Sequence, residues 1–368
     1  AIGAGIVAVM RTTGASLGIA APALIGAAFP SYALGQIGPF ELLAVAATAV
    51  ALRSGRFAAS GILAAATCLE PHVGLLVCLA IAVAVPAARL WLAAGVAVLA
   101  LVAVAATGPA AQLAYLTADL PLQGVGQAGS HEQYSLTYAL IYAGIPERAA
   151  LLAGTASTCV MLVVSTALAV RLARTRDVVY AAYLPAGLAL VGGVYVHLAQ
   201  MSLAIPAVLL ILRDAKTNGM RTTAAIALVL LAIPWPYPAT FKQLLPATLL
   251  LVGMLAWHLS GSSLRAALAA VALCWLALFP IENHPVAFSH GVAIARAPDD
   301  AFATISAGAA LRTTIVRDPA LIVVKLATWA GLLALLGAAS ALALQPRGAR
   351  SVDAAARAGT SRPQTRRA

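Results

Sequence analysis

Between residues 90 and 107 the chain carries no charged, amide or imidazole side chain, and runs of the same kind recur along the whole sequence. Roughly 20 such residues in a helix cross the ~30 Å hydrocarbon core of a bilayer. Other long runs cover residues 149–170, 178–196 and 320–344. Shorter runs, several interrupted by Pro or Gly, cover 12–29, 37–52, 198–212, 222–235, 244–259 and 266–279. With 62% hydrophobic and 10% charged residues, neither a water-soluble domain nor a disordered chain fits. The expectation is an all-α fold, a polytopic transmembrane helical bundle over residues 1–344. A basic, disordered tail follows at 345–368. Residues 1–10 are apolar, lack the basic start of a signal peptide and are followed by Arg11, which suggests the end of a span from a longer, N-terminally truncated protein.

The formal charge of +11 raises the question of a nucleic-acid partner. The basic residues do not interleave with aromatics; they sit in short loops between apolar runs and in the tail, so no nucleic acid is expected. Placing Arg53 and Arg56, Arg89, Arg171, Arg174 and Arg176, Arg213, Lys216 and Arg221, Arg265 and the tail on one side makes the spans alternate. With Arg11, that side then holds 17 of the 23 Lys and Arg. By the positive-inside rule it is cytoplasmic. The expected location is the plasma membrane, with basic loops and C-terminus cytoplasmic and about twelve spans or half-spans in all.

The alternation holds only if residues 57–69 go out and 73–85 come back. Each limb, about 20 Å as a helix, is too short to cross alone. Pro71 stands at the apex, where a helix must stop. Such a broken hairpin is tolerated where it is buried in protein or lines a polar cavity, so Glu70 and His72 are expected to face one.

Polar chemistry collects at the opposite, external end. Five of the six histidines (His72, His131, His197, His284, His290) and nine of the twelve acids (Glu41, Glu70, Asp119, Glu132, Glu147, Glu282, Asp299, Asp300, Asp318) map there. External loops are where polar residues must go in any membrane protein. Ionisable groups at helix ends are also where binding and catalytic sites form. Three groupings stand out. Glu70, Pro71 and His72 at the apex suit an acid/base pair, or a phosphate or cation site. A long glycine-containing loop carries Gln123, Gln127, His131, Glu132 and Gln133, whose groups suit hydroxyl-rich ligands. Tyr195, His197 and Gln200 sit between two apolar runs.

Trp235 to Pro238 read as an interfacial anchor. Asp299 and Asp300 are able to bind a divalent cation but have no fixed spacing to other ligands, so no metal-ligating residues are assigned and the need for a divalent metal stays open. The four cysteines, Cys68, Cys78, Cys159 and Cys274, lie in apolar segments without metal-ligand spacing, so neither a disulfide framework nor a zinc site is expected. Phosphate-binding loops, GxSxG and HExxH are absent from the sequence.

Leu34-Gly35-Gln36-Ile37 at the start of a run, the Arg53-Ser54-Gly55-Arg56 loop, Ala59-Ser60-Gly61 and the apex Cys68-Leu69-Glu70-Pro71-His72-Val73-Gly74-Leu75-Leu76 together resemble the C-type (GT-C) integral-membrane glycosyltransferases. Within them the chain is most similar to the polyprenyl-phosphate-mannose-dependent branch, glycosyltransferase family 87, through Gln36, Gly61, Pro71 and His197. The likeness is closest over residues 30–90 and schematic to about 212. It implies transfer of a mannose-like sugar from a polyprenyl-phosphate donor to a glycan or glycolipid acceptor at the external face. No cofactor beyond that lipid-linked donor is certain. Two features depart from the family. Glu70 stands where a lysine usually precedes the apex proline, which leaves Lys242 or Arg296 to meet a donor phosphate. The family's catalytic acid belongs to a loop that would precede Ala1. Within this chain the candidate bases are Glu70 and Glu132, and the candidate substrate-binding residues Gln36, His72, Gln127, His131, His197, Gln200 and Lys242. The competing expectation is a transporter or flippase of lipid-linked sugar, in which broken helices line the path.

Overall fold

The apolar runs fold as helices wherever backbone polar groups would otherwise face hydrocarbon, because a helix satisfies its own hydrogen bonds. The computed structural model describes residues 1–115, 117, 133–282 and 319–345. Among these are sixteen α-helices and no strand. In chain order they are α1 (Ile2–Thr13), α2 (Leu17–Ala33), α3 (Gly38–Arg53), α4 (Phe57–Ala66), α5 (Pro71–Ala84), α6 (Arg89–Thr107), α7 (Pro109–Ala114), α8 (Leu136–Tyr142), α9 (Glu147–Thr175), α10 (Tyr180–Leu188), α11 (Ile205–Asp214), α12 (Asn218–Ala232), α13 (Pro236–Thr240), α14 (Leu245–Leu259), α15 (Leu264–Glu282) and α16 (Pro319–Leu344). Four helical stretches, Pro86–Thr107, Glu147–Thr175, Lys242–Leu259 and Ile322–Leu344, are long and apolar enough to cross a membrane. The chain reads as a membrane protein built as an all-helical bundle.

The basic loops meet at one end of this bundle. Arg53, at the end of α3, pairs with Asp177, which precedes α10, and its Nη1 donates to the Arg11 carbonyl at 3.0 Å. Arg213, at the end of α11, donates to Asp177 at 3.0 Å, to both oxygens of Asp214 at 2.7 and 3.0 Å, and to the Thr12 carbonyl at 3.3 Å. Arg171 of α9 donates to the Ala343 carbonyl of α16. Five helices therefore end here, with guanidinium groups against the exposed carbonyls and negative dipole ends of α1 and α16. Asp177 and Asp214 are the acids that let so many arginines share the space.

From this end two hairpins of half-helices enter the bundle. The first is α4 and α5, joined by a 3-10 turn at Thr67–Leu69 and by extended Glu70. Cys78 of α5 lies back against α4, its Sγ donating to the Ala64 carbonyl at 3.3 Å, so the limbs are folded on one another. The fold requires glycine at 74. A Cβ there would sit 2.5 Å from the Cys68 Cα and N and from the Thr67 carbonyl oxygen, all backbone atoms with no freedom to move aside. On the outer side α6 packs on α4 by the same device: a Cβ at Gly61 would come within 2.6 Å of the Ala88 carbonyl oxygen. Small residues give close backbone approach where no hydrophobic drive holds helices together.

The second hairpin departs from the expectation of two spans at 178–196 and 198–212. Helix α10 stops after nine residues, α11 has ten, and residues 189–204 between them are irregular apart from a 3-10 turn at Leu198–Leu203. Beyond the helix end at Leu188, Gly192 and Gly193 take φ of 78° and 81°, through which no helix can continue. The apolar pattern conceals this because the segment is in the core, wrapped by α1, α2, α3, α5, α9, α12 and α16. Its freed backbone groups find partners. Ser157 Oγ accepts from the Gly193 amide at 3.3 Å, the Thr137 amide donates to the Gly193 carbonyl at 3.4 Å, and the Tyr134 amide donates to the Val196 carbonyl at 2.7 Å. The run expected over 12–29 is likewise divided, at Gly14 with φ 75°, into α1 and α2.

Candidate functional site

The tips of the two hairpins touch. Gln200, buried at 3% exposure, makes the junction. Its Oε1 accepts from the His197 backbone amide at 3.0 Å, which fixes the orientation of the side-chain amide. The Nε2 group then donates to His72 Nε2 at 2.9 Å and to Glu70 Oε2 at 3.3 Å. An amide NH2 has two donors, and both are used. Because His72 accepts at Nε2, its proton resides on Nδ1, which lies 3.7 Å from Glu70 Oε2. That is too long for a hydrogen bond. Glu70 and His72 are held side by side by one amide; they are not a tight acid/base pair.

The remaining residues of the cluster are aromatic and carboxylic. Tyr195 meets His72 edge-on with ring centroids 5.8 Å apart and stacks on His197 at 6.0 Å. Glu41, in the first turn of α3, is 2% exposed, and neither of its carboxylate oxygens has a hydrogen-bond partner among the described residues. Burial raises the Glu70 carboxyl above the ordinary carboxylate value, against the opposing pull of nearby His197 and the Gln200 amide. A half-buried carboxyl of this kind takes and releases a proton nearer neutrality than an exposed one.

Gln133 and Tyr134 close one side. Gln133 bridges His197 as an isolated antiparallel pair. Their carbonyls are held by α16: Lys325 Nζ donates to the Gln133 carbonyl at 2.6 Å and Trp329 Nε1 to the Tyr134 carbonyl at 2.9 Å. Lys325 is fully buried, with its ammonium 3.4 Å from the Tyr138 ring centroid. In the sequence Lys325 falls within the apolar run 320–344. Its structural signal is a single lysine four residues before a tryptophan on an apolar helix.

A cavity of about 330 Å³ adjoins the cluster at His72 and Tyr195. His72 and Tyr195 lie at its polar end; Leu76, Leu151, Val191 and Val194 line the apolar remainder, with exposed Thr155 and Cys159 of α9 at its rim.

The structure thus joins Glu70, His72, His197 and Gln200 from the sequence expectation. Gln36 is at the same end: its backbone N–H donates to the Ser31 carbonyl at 2.8 Å, and Ser31 Oγ donates to the Ala199 carbonyl at 2.6 Å. Lys242 is exposed in the turn after α13, and no interaction connects it to the cluster among the described residues. Gln127, His131 and Glu132 lie outside the described residues, as do Arg296, Asp299, Asp300 and the tail from 346. No group of three or more His, Cys, Asp or Glu among the described residues is arranged to hold a metal ion. Comparison with protein-family models, curated proteins and solved structures gave no match.

Proposed function

We propose that the chain is a membrane glycosyltransferase that moves a sugar, mannose-like by the family resemblance, from a polyprenyl-phosphate donor to a glycan or glycolipid acceptor. One observation carries this: a carboxyl, an imidazole and an amide converge where two half-helix hairpins meet, and the imidazole lines the polar end of a largely apolar cavity. A lipid-linked substrate needs that combination. Its chain stays in an apolar channel while its polar head meets hydrogen-bonding groups. In the proposed roles, Glu70 is the general base for the acceptor hydroxyl, His72 orients that hydroxyl, Gln200 holds Glu70 and His72 in place, and Tyr195 supplies a platform for a sugar ring. The topology that accompanies this reading has about twelve spans or half-spans, basic loops and C-terminus in the cytoplasm of a plasma-membrane protein, and the cluster toward the external side.

Transport or flipping of a lipid-linked sugar is the second reading, favoured by the two broken hairpins. Both hairpins, however, enter from the basic end, since α4 follows Arg53, which pairs with Asp177 just before α10. Inverted-repeat transporters bring theirs from opposite faces. The test is the full reading frame in membranes with labelled polyprenyl-phosphate sugars. Transfer to acceptor that falls at least tenfold in Glu70→Gln and His72→Ala supports the enzyme. Sugar-lipid movement across vesicles without transfer refutes it.

A further inference from the structure

Two of the four cysteines, ten residues apart and without any motif spacing, are brought together by the first hairpin: Cys68 Sγ and Cys78 Sγ lie 3.5 Å apart, both as free thiols. We propose that Cys68 and Cys78 form a reversible disulfide that staples the tip of the α4–α5 hairpin, and that this pair is a redox modification site of the protein.

The geometry asks for little. Gly74, one turn before Cys78 on α5, rests directly on the Cys68 backbone, so the two segments are already at contact distance. The sulfurs close the remaining gap by side-chain rotation. The thiols also differ in the way the chemistry needs. Cys68 is partly exposed beside the exposed Leu69, whereas Cys78 is buried at 9%. The Cys68 thiolate attacks one sulfur of a disulfide-bearing oxidant, forming a mixed disulfide and expelling the first oxidant thiolate. The Cys78 thiolate then attacks the Cys68 sulfur and expels the second. Two electrons and the two thiol protons pass to the oxidant, which leaves as a pair of thiols. On the orientation proposed above, the apex faces the external side, where disulfides persist.

The ring so closed, residues 69–77, contains Glu70 and His72. The staple therefore acts on the segment that meets Gln200, whatever reaction that segment serves. Cys159 and Cys274 provide internal controls, since neither has a cysteine partner in the structure.

The test uses the full chain in lipid nanodiscs, equilibrated with reduced or oxidised glutathione, quenched with acid, denatured and labelled with a maleimide-polyethylene glycol. Four labels after reduction, falling to two after oxidation, with a 68–78 cross-linked peptide in the mass spectrum, is the expected result. Cys68→Ser should give three labels under both conditions, and a chain carrying C159A and C274A should go from two labels to none. Four labels in the oxidised wild type, or a cross-link through Cys159 or Cys274, would overturn the proposal. Neither outcome depends on glycosyl transfer, so it stands or falls apart from the proposed function.

Discussion

Replacing Gln200 with Leu tests whether the two hairpins are held tip to tip by one side chain. The substitution keeps the volume and removes three hydrogen bonds, at 2.9, 3.0 and 3.3 Å. The His197 amide is buried with Gln200 Oε1 as its acceptor, and orphaning such a donor costs about 1–3 kcal/mol. His72 and Glu70 are each about a quarter exposed (23% and 24%) and can recruit water, so their losses are smaller, about 0.5–1 kcal/mol each. The sum is about 2–5 kcal/mol, a few hundredfold in the folded-to-unfolded ratio at its middle. Reversible unfolding in mixed micelles by dodecyl sulfate gives the stability, and hydrogen exchange gives the protection of the His197 amide. A double-mutant cycle with His72→Leu should show coupling of about 0.5–2 kcal/mol, since the residues share a bond. Stability within 0.5 kcal/mol of wild type, with His197 protection unchanged, would refute the junction.

Two further outcomes follow from the same region. Gly74→Ala places a methyl 2.5 Å from backbone atoms of Thr67 and Cys68, so it should destabilise by about 1–3 kcal/mol in the same unfolding assay and slow formation of the 68–78 cross-link. Glu70 binds its proton more tightly in the folded chain than in the unfolded one, because burial raises its value. Its ionisation therefore opposes folding. This penalty is absent below the unfolded carboxylate value, grows as pH rises from there to the raised folded value, and is constant above it. The stability of Glu70→Gln relative to wild type should rise with pH across that interval, and a flat or falling difference curve would show that Glu70 is not held in this environment.

The helical state of the described core was settled by uncharged runs such as residues 90–107, whose backbone groups can be satisfied in hydrocarbon only by one another. The grouping of the basic loops was equally legible, and the structure gathers Arg11, Arg53, Arg171 and Arg213 at one end with Asp177 and Asp214 among them. The α4–α5 hairpin could be read from the charges bounding it and from Pro71, because two limbs of about 20 Å cannot each cross the bilayer. Residues 178–212 could not be read in this way. Their apolar pattern fits two spans equally well, and only burial on all sides, with Ser157, Thr137 and Tyr134 serving the freed backbone, permits the break at Gly192 and Gly193. Sequence alone determined what the membrane imposes on every segment separately: helix, length and the sorting of charge. Tertiary structure decided which residues meet. Contacts such as Glu70 with Gln200, Cys68 with Cys78 and Lys325 with Gln133 join positions from 10 to 192 apart in the chain, and they depend on how half-helices pack, which no local pattern records.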